Sequence, residues 1–389
     1  SKNSAMRRTL GYYLLFIALG LDLALTGPTL PALSAQTQTR LGNMGTLFLI
    51  GALGYTLGTA VGGRIFDRVR GHPVLGFAQL TAAGLLALVP VVPWFWLLLV
   101  VVFSKGVAGG IINTGANTLL IWTHEEKVSA YMNAMHFFFG LGAFLSPLLL
   151  AQVITLEGGY RWAYWAMAAF GGLVGLRILS MSGSPQPHRH MEGTENTTKT
   201  AIPYPIVLIA ALFLFFYVGA EITFGGWIYT YAVTLGLATA AGAAYLTSGF
   251  WLSFTIGRLI SIPMATRFQP AQIILAALIG CLTILAVSMV VSGSSLVLWL
   301  LALGLGFCMA PIWPTGFTLA GQSLKLTAKA SSIILLGDSF GGMVLPWLVG
   351  QVIDLTGPQA MVAMVFGSLV LNLLAFAGML KLRATKAQE

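Results

Sequence analysis

The sequence predicts an all-α polytopic membrane protein with 12 transmembrane helices in two pseudo-symmetric six-helix bundles. Three observations carry this. The 389 residues are 57% apolar and only 8% charged, with a mean hydropathy of +0.87, which leaves too little polar surface to cover a soluble globule. The apolar runs reach about 20 residues or more, enough to cross a bilayer as helices, the form that satisfies every backbone group internally. Finally, Ala151 to Gly158 reads AQVITLEG and Gly350 to Gly357 reads GQVIDLTG, an echo at an offset of 350 − 151 = 199 positions. The same offset pairs Gly20 with Gly219, Asp22 with Glu221, Gly27 with Gly226, Arg68 with Arg267, Gly142 with Gly341 and Pro147 with Pro346. Two copies of one unit follow. The short alternating segments of an outer-membrane barrel do not occur.

Spans are expected near 10–33, 44–66, 73–93, 95–122, 129–154, 160–181, 203–233, 240–264, 270–292, 295–321, 327–353 and 358–381. The first is too long for a signal peptide and lacks a small-residue cleavage site, so it is read as a span. The polar stretch Ser182 to Thr200 separates spans 6 and 7, giving halves at 1–181 and 203–389 joined by a linker at 182–202. With both termini cytoplasmic, the inner loops carry Arg68, Arg70, Lys127, Arg189, Lys199, Arg267, Lys325 and Lys329, and the outer ones Arg40 and Arg161. That asymmetry orients the chain in a plasma membrane, here expected to be a bacterial inner membrane. The net charge of +9 is therefore topology, dispersed among short loops, and not a nucleic-acid footprint. In a cytoplasmic linker the Asn196-Thr197-Thr198 sequon never meets glycosylation enzymes. Cys281 and Cys308, the only cysteines, read as small buried apolar residues.

Three acids, Asp22, Glu221 and Asp338, lie well inside spans 1, 7 and 11. Each costs about 2.5–3.5 kcal/mol at a helix centre on insertion scales, so something must offset it. The plain alternative is a structural ion pair or a hydrogen-bonded protonated carboxyl. Two acids at equivalent positions of a repeat, in the middle of its first span, instead match the midplane site of a transporter. Asp22, Glu221 and Asp338 are thus expected to serve the coupling ion, with sodium a candidate at Asp22 and Glu221. Lys105, two helical turns before Asn113, could pair with an acid, although snorkelling to the nearer surface is the favoured reading. Arg258, after Gly257, reads as a packing and gating cation.

Span 4 places Asn113 and Asn117 at i and i+4 on one face, where amides can match vicinal hydroxyls. In span 10, Pro311 and Pro314 break the helix beside Trp313, an aromatic plate for an apolar sugar face; Trp227 follows Glu221 in span 7. Trp94 and Trp96 read as interface residues. His136 in span 5 reads as a hydrogen bonder, with a proton relay left open. The turn GGRIFDRVRG, carrying Asp67, Arg68 and Arg70 behind Gly54, Gly58 and Gly62, reads as a gate where charges make and break pairs.

These features resemble the major facilitator superfamily, with GGRIFDRVRG similar to its loop signature. FYVGAEITFGGWI, AYLTSGFWLSFTIGRL, GG-x-x-N-T-x-A-N and MAPIWPT resemble the fucose–proton symporter family. HFFFGLGAFLSP and the acid in FYVGAE are closer to its sodium-dependent glucose transporter branch. The resemblance implies a monomeric transporter that carries a hexose-like sugar with sodium or a proton by alternating access and needs no cofactor. Asn113, Asn117, His136, Trp227 and Trp313 are then the expected sugar contacts, and Asp67, Arg68 and Arg258 the gate. The family's two essential acids are absent: their positions hold Gly27 and Asn113, so coupling would pass to Asp22, Glu221 and Asp338. A proton-driven exporter of lipophilic compounds and a non-transporting sugar sensor are the rival readings. An enzyme is disfavoured, since there is no activated nucleophile, metal-ligand cluster or phosphate loop.

Overall fold

The computed structural model describes residues 2–66, 68–125, 128–185, 204–291, 293–323 and 328–386. Asp67, Lys127, Arg189, Lys199, Lys325, most of the linker and the Asn196 sequon lie outside the described residues. The chain divides into two compact units, Ser1–Arg40 with Ile50–Thr197, and Leu41–Leu49 with Thr198–Glu389.

The first unit is built from α1 (Lys2–Gln36), most of α2 (Gly45–Phe66), α3 (Gly71–Leu88), α4 (Phe95–His124), α5 (Val128–Val153) and α6 (Gly159–Leu179). The second comprises α7 (Tyr204–Thr234), α8 (Ala240–Ala265), α9 (Pro270–Val290), α10 (Ser295–Met309), α11 (Ile312–Ser323), α12 (Ala328–Thr356) and α13 (Gln359–Lys386). The sequence repeat and the division by packing differ at 41–49, because this short segment is bonded into the second unit. Gly42 N–H donates to the Asp354 carboxylate at 3.2 Å, and the Phe48 ring lies 6.2 Å from Trp227.

Eleven spans among the described residues are long and apolar enough to cross a membrane. The remaining helix, α8, is long enough at 26 residues but carries several hydroxyl groups and Arg258. Thr247 and Thr255 return their hydroxyl protons to the carbonyls one turn back, and Ser253 donates to the Leu303 carbonyl. These bonds satisfy polar groups that lipid would leave bare. Span 10 is interrupted between Met309 and Ile312, as the prolines predict, but they act differently. Pro311 sits in the break, whereas Pro314 lies in the first turn of α11, where its missing N–H costs nothing.

The repeat is visible in packing. A Cβ at Gly20 would overlap the Phe139 carbonyl of α5, and one at Gly142 the Ile17 carbonyl of α1. In the second unit a Cβ at Gly219 would strike Leu345 of α12, and one at Gly341 the Phe215 carbonyl of α7. Equivalent glycines therefore bring the acid-bearing first helix of each half against the fifth span of the same half. Cys281 is buried, Cys308 is half-buried, and both are free thiols.

Candidate functional site

In the first unit, the Lys105 ammonium on α4 donates to both carboxylate oxygens of Asp22 on α1. The lysine side chain is 11% exposed and the aspartate 29%. This overturns snorkelling for Lys105: inside an apolar bundle, an opposite charge within reach offsets part of the desolvation of both groups. It also changes Asp22. With both oxygens engaged and its charge balanced, Asp22 is poorly suited to hold sodium while Lys105 stays. Behind the pair lies a cavity of ≈20 Å³ lined by residues including Asp22, Gln79, Lys105, Gly109 and Gly171.

Asn113 and Asn117 share one face of α4 as expected, but they bond to each other. Asn117 Nδ2 donates to the Asn113 backbone carbonyl at 2.8 Å and to its Oδ1 at 3.2 Å. His136 on α5 is exposed, its ring edge-on to Phe16 at 5.5 Å. Arg68 is exposed in the turn after α2. Trp94 and Trp96 are exposed and stacked at 6.3 Å.

In the second unit, Glu221 on α7 is only 8% exposed. One turn earlier, Tyr217 donates its hydroxyl proton to the Met309 carbonyl at 2.7 Å, at the end of α10 next to the break. The same hydroxyl lies near Glu221, although its hydrogen bond goes to Met309. Asp338 on α12 accepts from Trp313 Nε1 at 2.9 Å, and the Trp313 ring stacks on Phe317 with centroids 5.6 Å apart. Arg258 on α8 lies within electrostatic range of both Glu221 and Asp338, yet neither carboxylate is paired with it. Its guanidinium instead lies over the Phe254 ring, 4.6 Å from the centroid, and its Nε is buried without a hydrogen-bond partner. The structure thus gathers Glu221, Arg258, Trp313 and Asp338 around the helix break.

Trp227 departs from its expected role. It is fully buried, and its Nε1 donates to the Pro346 carbonyl at 3.0 Å. The indole therefore ties α7 to α12 and is not a free plate for sugar. Two polar residues were not singled out by sequence. Tyr217 carried a signal, since it lies four residues before Glu221 and so on the same face. Gln79 carried a weaker one: it is an amide in an apolar run whose repeat equivalent, at 79 + 199 = 278, is Leu278.

Helices of membrane-spanning length in two repeated sets, each with a carboxylate in its first helix, have the architecture of a membrane transporter. The Major Facilitator Superfamily profile matches residues 12–346, and the chain belongs to that family. It is 29% identical over 375 residues to the mouse sodium-dependent glucose transporter 1A, covering 87% of this chain and 88% of that one. The Xenopus laevis sodium-dependent glucose transporter 1 is 30% identical, with 84% of this chain and 72% of the relative covered. Among solved structures, a D-xylose–proton symporter superposes with a TM-score of 0.77 at 13% identity, over 94% of this chain and 97% of that one. The nucleoside transporter NupG gives 0.79 at 14%, over 97% and 99%. These two likenesses concern the fold alone.

Proposed function

We propose that this protein couples the movement of a cation, sodium or a proton, to import of a hexose-like sugar by alternating access. The relatives named as sodium-dependent glucose transporters support the substrate class and a coupling cation. The observation that carries the coupling is the charge imbalance in the second unit: Glu221 and Asp338 face one guanidinium, Arg258, that pairs with neither. With both carboxyls ionised, this cluster holds one negative charge too many for an apolar bundle, and a bound cation removes it.

Tyr217 sharpens the reading. Its single phenolic proton goes to the Met309 carbonyl and is not available to Glu221, which leaves that carboxylate to a proton or a sodium ion. Glu221 is the principal coupling group and Asp338 its partner. Asn113, Asn117 and Trp313 remain the proposed sugar contacts, because each keeps a half-buried polar or aromatic surface.

The test is uptake of labelled hexoses into proteoliposomes under separately imposed sodium and proton gradients. Accumulation under one gradient identifies the ion. Absence of accumulation under either, with the protein folded and inserted, overturns the coupled-symport reading.

A further inference from the structure

The cavity beside Asp22 and Lys105 has no role in the coupling scheme above, and three polar side chains, Asp22, Gln79 and Lys105, line its otherwise apolar wall. Gln79, on α3, is 4% exposed, lines the cavity, and has no hydrogen-bond partner among the described residues. Its amide is therefore left to bond with whatever occupies the cavity. The other half has no such amide, since the repeat equivalent Leu278 is apolar and fully buried.

We propose that this cavity is a subsite for one hydroxyl group of the transported sugar, with Gln79 as its specificity-determining residue. The inference rests on the sugar-transport reading and adds to it. Charge selects the ligand class: Asp22 and Lys105 already cancel, so a neutral group can enter without creating net charge, whereas a cation would meet the Lys105 ammonium. Chemistry then selects a hydroxyl. The Gln79 amide offers both donor and acceptor, and Lys105, with two of its three protons on Asp22, keeps one to donate. Size limits the occupant. A volume of ≈20 Å³ admits one water-sized group, far below the roughly 300 Å³ at which pockets enclose whole small ligands. The sugar ring therefore stays outside and inserts a single hydroxyl past Asp22, the more exposed member of the pair.

An ordered water could use the same groups, and the test separates the two. Binding of glucose and of its monodeoxy analogues is measured with the purified full-length protein, wild type and Gln79→Met. In the wild type, one analogue is expected to bind about tenfold more weakly than glucose because it lacks the inserted hydroxyl. In Gln79→Met, that analogue and glucose converge, while ratios at the other positions stay as in the wild type. A second variant, Gly171→Ala, reads the same subsite should Gln79→Met fail to fold. Its new Cβ would lie 2.8 Å from Gln79 Nε2, the movable end of the side chain, and the same ratio should shrink. Glucose binding with ratios unaltered by either variant overturns the subsite and leaves an ordered water as the occupant. Failure of the wild type to bind any hexose overturns the sugar reading itself, which is a separate result.

Discussion

The two units solve the same problem differently. Each carries an acid in its first helix at equivalent positions, and each presses that helix against its fifth span through equivalent glycines. In the first unit Asp22 is matched one to one by Lys105, which holds both its oxygens. In the second, Glu221 and Asp338 share the field of Arg258 without pairing to it; Asp338 is hydrogen-bonded to Trp313, and Glu221 lies near a Tyr217 hydroxyl that donates elsewhere. The difference teaches that a repeated acid does not imply a repeated task. A closed ion pair is electrically finished, whereas an unbalanced cluster is ready to take up charge.

That contrast is most directly broken at the two acids. Glu221→Gln is expected to abolish gradient-driven sugar accumulation while sugar exchange at equal cation concentrations survives. Loss of both activities together would make Glu221 structural. Lys105→Met should act on stability: stranding the Asp22 charge costs about 3 kcal/mol, read as a large fall in thermal midpoint. Adding Asp22→Asn should recover most of that loss, and no recovery would mean that the pair is not what holds Lys105 in place.

Packing gives a third test of smaller size. Gly20→Ala meets the Phe139 backbone carbonyl, which cannot move without its helix, whereas Gly219→Ala meets mainly the movable end of Leu345. The first should cost about 1–3 kcal/mol and the second less, as measured by thermal unfolding in detergent. The smallest effect expected is that of Trp227→Phe. It removes one indole hydrogen bond, about 1 kcal/mol, and leaves the KM for sugar unchanged; a raised KM at unchanged stability would return Trp227 to the sugar site.

Much of this was legible in the chain. Apolar runs set the spans, and an offset of 199 positions exposed the two halves and paired Gly20 with Gly219 and Gly142 with Gly341, though not what those glycines touch. The prolines of span 10 announced its break. Insertion cost marked Asp22, Glu221 and Asp338 as the charges that needed an explanation. These features are local or periodic, and they survive in one dimension because lipid forbids most alternatives.

What tertiary structure decided was pairing. Whether Lys105 snorkels or turns inward depends on which helix lies beside it, and the sequence places Lys105 83 residues away from Asp22. Trp227 and Trp313 look alike in the chain, yet one spends its N–H on the Pro346 carbonyl and the other on the Asp338 carboxylate. Gln79 was one amide in an apolar run until four helices closed a cavity around it. Hydropathy determines which segments enter the membrane. Only the packing of those helices fixes the short distances over which charges and hydrogen bonds act, and so separates the balanced half from the unbalanced one.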